Sequence, residues 1–230
     1  MFKSRSLALS IYLALVAIAL VLYSRDPAWS LKLEILRDSL ILAWLVSLTN
    51  WIFGGSLGQL LGIRPRQLVG LLGIAFAPFL HRDINHLLAN TLPFLVLGWL
   101  VLLQEGLQGA SGFYTVTGII LLAGGLGTWL FGREAIHLGA SGLIFGYIGF
   151  LLVGSYVVPT LWTVGLAIVV FVLYGAQLWA MLPNSRAIAV SWEGHLFGFV
   201  GGLIAGIRPD LLTSIQRHIQ MAIDNLFRLY

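Results

Sequence analysis

Long apolar runs separated by short polar breaks dominate the hydropathy pattern of this chain. A helix that crosses the hydrocarbon core of a bilayer needs about 20 predominantly apolar residues. Seven segments approach that length: 7–23, 38–54, 85–103, 113–131, 141–158, 161–182 and 190–207. The pattern therefore predicts an all-α protein, built as a polytopic membrane helix bundle.

The segments outside these runs differ from them in character. The stretch 54–83 carries Arg64, Pro65 and Arg66 among repeated glycines, and we expect it to lie partly embedded at the membrane interface. The tail has isoleucines on one side and charged residues on the other, which predicts an amphipathic helix on the membrane surface. We divide the chain into an N-terminal anchor helix with an interfacial linker, an integral core and the amphipathic tail: 1–37, 38–208 and 209–230.

Composition agrees with a membrane protein and limits its partners. Hydrophobic residues make up 59% of the chain, charged residues 10%, and the mean hydropathy is +0.94. Soluble domains carry about 25% charged residues. Cysteine is absent, so neither a disulfide framework nor a thiolate metal site is expected. The net charge of +4 comes from basic residues scattered at helix ends, which favours the lipid bilayer over nucleic acid as a partner.

Basic residues near helix ends also indicate an orientation. Arg208, Arg217 and Arg228 favour a cytoplasmic C-terminus. Counting back from that end, the third, fifth and seventh runs all start on the non-cytoplasmic side. The same count leaves Lys3 and Arg5 outside, against the positive-inside rule. Whether the first run fully spans the membrane, and where the N-terminus lies, are therefore left open.

Polar side chains stand near the starts of these three parallel runs. His86 and Asn90 open the third run, Ser141 opens the fifth, and His195 stands near the start of the seventh. A hydroxyl or an imidazole in hydrocarbon is costly unless it is paired or used. Residues spread over more than a hundred positions converge on one depth and one side, which indicates a serine protease site inside the bilayer.

Each of these residues also has a structural explanation. Ser141 could cap its helix, or serve as a small residue that allows close packing. Asn90 could satisfy the carbonyl that Pro93 leaves without a donor, and His86 could sit at the level of the lipid headgroups. His195 is harder to explain in this way, because an ionisable residue inside a membrane is functional by default.

Other intramembrane protease chemistries find little support in the sequence. A metalloprotease would need a His-Glu-x-x-His motif, which is absent, and all five aspartates lie at segment ends or outside the runs. We therefore expect no metal and no cofactor. The remaining histidines of the central region, His81 and His137, adjoin charged residues, and we expect both to be solvated and not catalytic.

Glycines predict which two helices pack most closely. The last run has a glycine at every fourth position, and the run that opens with Ser141 has a similar set: Gly194, Gly198, Gly202 and Gly206 in the first, Gly142, Gly146 and Gly149 in the second. Glycine faces let two backbones approach closely. Close approach is what a hydrogen bond of about 2.6–3.2 Å between Ser141 and His195 would need.

Four short motifs together resemble those of the rhomboid family of intramembrane serine proteases. They are Phe79-Leu80-His81, His86-Leu-Leu-Ala-Asn90, Gly139-Ala-Ser141-Gly-Leu-Ile-Phe-Gly146 and Gly194-His195-Leu-Phe-Gly198, and their order and spacing fit over roughly residues 38–207. The resemblance implies a six-helix core, to which the run 7–23 would add an N-terminal helix. The tryptophan-arginine pair often seen in the family's first loop is missing here.

The resemblance also implies roles for individual residues. Ser141 would be the nucleophile and His195 the general base of a catalytic dyad. His86, Asn90 and the backbone near Ala140 would bind the oxyanion. Two further residues would shape the site by packing, Phe145 against the His195 ring (where the family often has tyrosine) and Gly198 within the helix contact. Glu193 would point away from His195 on a helix, so no acidic third member is assigned.

The sequence thus predicts an intramembrane serine endopeptidase that cuts single-span transmembrane proteins near the non-cytoplasmic surface. We expect a multi-pass protein of the cell membrane; the sequence does not indicate its oligomeric state. The alternative is a rhomboid-like protein that binds membrane clients without cutting them, although intact Ser141 and His195 favour the enzyme. A transporter is a weaker option, because no intramembrane charge or pair of broken helices marks an ion path.

Overall fold

The structure is a computed structural model that describes residues 28–104, 109–183 and 191–207, with five positions of the tail: Ser214, Arg217, His218, Met221 and Asp224. The predicted run 7–23 and most of the predicted surface helix lie outside the described residues. Within them, all regular elements are helical apart from one isolated antiparallel bridge between Ile63 and His137. The all-α prediction is confirmed.

Eight α-helices cover the described part of the chain: α1 (Ala28–Ile52), α2 (Ser56–Leu61), α3 (Gly73–Phe76), α4 (Ile84–Leu102), α5 (Gly109–Phe131), α6 (Ser141–Val157), α7 (Leu161–Tyr174) and α8 (Trp192–Ile207). Three 3₁₀ turns accompany them: Leu68–Leu71, Ala77–Phe79 and Gly175–Met181. Three described segments are long and apolar enough to cross a membrane: Ile84–Leu102, Ser111–Phe131 and Leu161–Met181. The protein is an integral membrane protein with a bundle of apolar helices.

Six of the seven predicted runs fall on described helices. Their ends agree to within a few residues, with two exceptions: α1 begins at Ala28, ten residues before the predicted run 38–54, and α7 ends at Tyr174, where the 3₁₀ turn Gly175–Met181 continues the predicted run 161–182. Lys32, Glu34 and Arg37 interrupt the apolar pattern in the first turns of α1, so hydropathy predicted a later start for this helix. An α-helix satisfies its backbone hydrogen bonds internally whatever its side chains, so it can continue beyond the apolar stretch. The predicted boundary at residue 38 therefore falls inside α1.

The stretch between α1 and α4 folds into short helical turns that are hydrogen-bonded to the end of α5. Arg66 adopts a left-handed backbone conformation with φ of 61°. Its guanidinium donates to the Gly132 carbonyl oxygen at 2.8 Å, and Trp129 Nε1 donates to the Gln67 carbonyl oxygen at 2.8 Å. Leu68 is largely exposed, although it is apolar. The short turns and the exposed apolar side chain fit the predicted interfacial segment, and its partial embedding in the membrane stays a prediction.

Glycine allows α6 and α8 to pack backbone against backbone. A methyl group added to Gly142 would lie 3.0 Å from the Gly194 carbonyl oxygen, and one added to Gly146 would lie 3.0 Å from the Gly198 carbonyl oxygen. A side chain at Gly198 would overlap the backbone of Gly142. The predicted glycine contact between these two helices is confirmed, and it brings their first turns together.

Candidate active site

Ser141 is the first residue of α6 and lies half-buried. The chain reaches it through Gly139, whose φ of 109° is a left-handed conformation that glycine adopts without strain. Ala140 occupies the N-cap position and no side chain caps the helix. The explanation of Ser141 as an N-cap is therefore wrong. The first N–H groups of a helix lack intrahelical acceptors, so the end of α6 that carries Ser141 also carries backbone donors.

His195 lies in the first turn of α8 and is 8% exposed. Its ring stacks on Phe145 with 4.2 Å between ring centroids and 8° between planes, the contact expected from the sequence. His195 Nδ1 lies 3.1 Å from the Ala180 carbonyl oxygen. Because a carbonyl only accepts hydrogen bonds, Nδ1 carries the proton in the neutral ring, and Nε2 keeps its lone pair. This is the tautomer that a general base needs.

The helix contact brings Ser141 and His195 towards each other through their glycine neighbours. Gly142 faces Gly194 across the α6–α8 contact, and Phe145 of α6 covers the His195 ring of α8. Within the described residues no hydrogen bond joins the Ser141 hydroxyl to the His195 ring. Catalytic hydrogen bonds are often long without a bound substrate and tighten in the reacting complex. The direct bond between these side chains stays a prediction.

The start of α4 carries the predicted oxyanion residues. Asp83 caps this helix, since its Oδ1 accepts from the His86 backbone N–H at 2.9 Å. That hydrogen bond, followed by one from the Arg82 side chain, lowers the pKa of the Asp83 carboxyl. The His86 ring packs on Gly139, where an added methyl group would lie 2.6 Å from His86 Nε2. The cap and this contact hold His86 next to the segment that leads into Ser141.

Asn90 lies one turn further along α4 and is buried. Its side-chain N–H donates to the His86 carbonyl oxygen at 2.9 Å, so it is not the partner of the carbonyl that Pro93 frees. Asn90 and Ala140 line the same cavity, which has a volume of about 290 Å³ and is largely apolar. His86 and Asn90 of α4 thus lie beside Gly139 and Ala140, the two residues that precede Ser141.

His81 is buried, and the expectation that it would be solvated is wrong. The side chain is 1% exposed and its Nδ1 lies 3.0 Å from the Ser47 hydroxyl. Burial, followed by the neighbouring His86, lowers the pKa of His81 to about 4. The ring is therefore neutral at physiological pH and packs edge-on against His86 at 5.1 Å. Sequence reasoning missed this because two charged residues, the exposed Arg82 and the partly exposed Asp83, follow it directly.

His137 is also buried, so the same expectation is wrong for it. Its ring is 6% exposed, and burial lowers the pKa of its imidazole. Its Nδ1 lies 2.7 Å from the Ser191 hydroxyl, just before α8. Both residues border a small cavity of about 50 Å³ that also reaches Ser141 and Thr128. A volume of that size holds at least one water molecule, which needs only about 10–15 Å³ of such space.

Glu193 is engaged with the loop before α6 and not with His195. It is 1% exposed, and its Oε1 accepts from the Arg133 backbone N–H at 3.1 Å. The same oxygen lies 3.7 Å from Arg133 Nε. In the described residues, the hydrogen-bond partner of His195 Nδ1 is the Ala180 carbonyl, and no carboxylate takes that place. A backbone carbonyl carries no sequence signature, so sequence reasoning had no means of finding it.

The geometry contains no metal site that the described residues could form, since no group of three or more His, Asp or Glu side chains lies together there.

Comparison with known proteins gives matches over most of this architecture. A family model described as the Rhomboid domain matches residues 65–208. An uncharacterized protein of Mycobacterium tuberculosis is 41% identical over 201 residues, covering 84% of this chain and 80% of the relative. One of Mycobacterium leprae is 40% identical over 200 residues, covering 84% and 76%. RHOMBOID-like protein 1 of Arabidopsis thaliana is 30% identical over 150 residues, covering 61% and 36%. No solved structure gives a significant match.

Proposed function

The chain belongs to the rhomboid family, and on that premise we propose that it is an intramembrane serine endopeptidase. Ser141 is the nucleophile and His195 the general base. The observation that carries the proposal is the stack of His195 on Phe145 across the glycine contact of α6 and α8. Phe145 lies one turn after Ser141 on the same face of α6, so the stack holds an imidazole on that face.

The reaction follows from the tautomer of His195. The Ala180 carbonyl holds the Nδ1 proton, so Nε2 is free to take the proton of the Ser141 hydroxyl as it adds to a peptide carbonyl. His195 then gives that proton to the leaving amine. Water hydrolyses the resulting ester, and the small cavity beside Ser141 offers room for it. The Ala180 carbonyl and the Phe145 ring orient the imidazole, a task that an acidic side chain performs in a triad.

The oxyanion of the tetrahedral intermediate is bound by donors from two segments. Backbone N–H groups at the start of α6 provide the first set, and the side chains of His86 and Asn90 provide the second. The contact between His86 and Gly139 supports this arrangement, because it ties the start of α4 to the loop that carries Ala140 and Ser141.

We expect Asn90→Ala to leave about 1–10% of the cleavage activity, because one donor is lost while the backbone donors remain. Initial rates on a single-span model substrate measure this. Asn50→Ala is a matched control: Asn50 is also a buried asparagine, and its side-chain oxygen accepts from the Gly58 N–H away from the site. Full activity in Asn90→Ala would remove Asn90 from the oxyanion site.

The substrates in this proposal are single-span membrane proteins, cut near the non-cytoplasmic surface of the cell membrane. A membrane helix keeps its carbonyls bonded internally, and Ser141 can attack only an extended peptide. A client must therefore unwind before it is cut. The family resemblance adds a preference for a small residue at the cleavage point.

We expect helix-weakening residues near that surface to control cleavage. Replacing two such glycines of a model substrate by leucine should slow cleavage about 10- to 30-fold, since each glycine weakens a helix by up to about 1 kcal/mol and about 1.4 kcal/mol corresponds to a tenfold change in rate. Rates measured at equal substrate per detergent micelle test this, with two leucine substitutions in the cytoplasmic third as the control. Equal rates for all three substrates would contradict this account of selectivity and leave the dyad unaffected.

The alternative function is binding of membrane clients without cleavage. The observation in its favour is that no hydrogen bond joins the described side chains of Ser141 and His195. Labelling with a serine-reactive fluorophosphonate, followed by mass mapping of the modified peptide, separates the two functions. The protease should be labelled at Ser141. A protein that captures single-span clients, cuts none and takes no label would be the binding protein.

A further inference from the structure

A second histidine and serine, four residues before the two members of the proposed dyad, are hydrogen-bonded to each other. His137 stands four residues before Ser141, and Ser191 stands four residues before His195, so the partners in both pairs are 54 positions apart. His137 Nδ1 lies 2.7 Å from Ser191 Oγ. The residue types are exchanged between the segments: histidine precedes the nucleophile, and serine precedes the base.

His137 is fixed from three directions. Its backbone N–H donates to the Ile63 carbonyl oxygen at 3.0 Å, and its carbonyl oxygen accepts from the Ile63 N–H at 3.1 Å. Its ring Nε2 lies 3.2 Å from the Arg133 carbonyl oxygen. Because that carbonyl only accepts, Nε2 carries the proton of the neutral ring, and Nδ1 accepts from the Ser191 O–H.

Ser191 connects this histidine to the backbone around His195. Its hydroxyl oxygen accepts from the Gly194 N–H at 3.1 Å, which makes it the N-cap of α8. Its carbonyl oxygen accepts from the His195 N–H at 3.1 Å. Hydrogen bonds thus run from the first turn of α8 through the Ser191 hydroxyl to the His137 ring and on to the Arg133 carbonyl. The bond from the Arg133 N–H to Glu193 joins the same two segments a second time.

We propose that His137 and Ser191 are positioning residues that hold the first turn of α8 against the loop leading into Ser141, and so set the distance between nucleophile and base. The proposal rests on the proposed function of Ser141 and His195. The nucleophile and the base lie on separate helices, so their separation depends on contacts between segments. The glycine face lets α6 and α8 approach, and the His137–Ser191 bond fixes the approach at the end where the reaction takes place.

The test measures how fast Ser141 reacts with a fluorophosphonate, because this rate reports the alignment of serine and base without a protein substrate. We expect His137→Ala and Ser191→Ala each to lower the rate about 10- to 100-fold, since misplacement of a catalytic group by 1 Å can cost about 100-fold. The double variant should be no slower than the slower single variant, because both changes break one bond. His137→Asn should restore most of the rate, since its amide oxygen can take the place of Nδ1 as acceptor.

Thr160→Ala is the matched control. Thr160 caps α7 through a capping box with Thr163, so this change also removes a helix N-cap, but away from Ser141. It should lower the melting temperature by an amount similar to Ser191→Ala and leave the labelling rate unchanged. The proposal is overturned if Thr160→Ala slows labelling equally, if the effects of His137→Ala and Ser191→Ala multiply in the double variant, or if neither change slows labelling.

Hydrogen exchange separates failure of this proposal from failure of the proposed function. His137→Ala should speed exchange of the Gly194 and His195 amides, whereas Thr160→Ala should not. Wild-type protein that takes no label at Ser141 would overturn the proposed function. Unchanged exchange at the two amides in His137→Ala would overturn the positioning role, whatever the labelling result.

Discussion

Ser141→Ala and His195→Ala should each reduce cleavage of a single-span substrate by about 10⁴-fold or more, because members of a serine–histidine pair act as one unit. The first change removes the atom that attacks the peptide carbonyl. The second removes the base that takes the serine proton, together with the stack on Phe145. Cleavage rates in detergent micelles or vesicles, read from the appearance of the shorter product, measure both effects.

The same chain offers matched controls for these two changes. Ser155 lies on α6 and its hydroxyl donates to the Leu152 carbonyl oxygen, and His218 is exposed in the tail. Ser155→Ala and His218→Ala should therefore keep full activity. The melting temperature of Ser141→Ala should stay close to wild type, because Ser141 caps no helix. Ordinary turnover by His195→Ala, with Ser141→Ala inactive, would rule out His195 as the base.

Gly198→Ala should reduce both stability and activity strongly. A methyl group at this position overlaps the Gly142 backbone, so α6 and α8 must move apart. Overpacking of this kind costs about 1–3 kcal/mol of folding free energy. The helices would separate next to Ser141 and one turn after His195, and we expect activity to fall about 100-fold, as for a catalytic group misplaced by about 1 Å.

A glycine on the neighbouring helix α7 provides the control for this effect. An added methyl group at Gly165 meets no atom within 4 Å. Gly165→Ala should therefore keep activity and leave the melting temperature equal or higher, since alanine is the better helix former. Thermal unfolding and cleavage rates of Gly198→Ala and Gly165→Ala measure the effects on stability and activity. A Gly198→Ala protein with wild-type activity would show that the close α6–α8 contact does not set the catalytic geometry.

Much of the fold follows from local properties of the sequence. Hydropathy identified six of the described helices, because a long apolar segment in a membrane must satisfy its backbone hydrogen bonds internally and a helix does so within one segment. Glycine spacing identified the α6–α8 contact, because the missing side chains leave one helix face open to another backbone. The start of α1 was misjudged, since Lys32, Glu34 and Arg37 mark the end of the apolar stretch and not the end of the helix.

The candidate site was predictable only where its residues have unusual chemistry for their location. Ser141, His195 and Asn90 are polar residues in apolar runs, and that contrast is visible without a structure. His81 and His137 stand among charged neighbours, where the same residue type is ordinary, and sequence reasoning placed them in solvent. Their burial depends on which way each loop turns, and backbone hydrogen bonds such as those between Ile63 and His137 decide this.

The sequence by itself determined that this protein is a helical membrane protein of the rhomboid type, with Ser141 and His195 at the ends of two glycine-faced helices. Hydropathy, helical spacing and residue type are properties of short segments, so they can be read from the sequence without three-dimensional information. Only the tertiary structure decided that the Ala180 carbonyl orients His195 and that Ser191 is hydrogen-bonded to His137. These contacts join segments that are distant along the chain, and one of them uses a backbone atom that every residue carries.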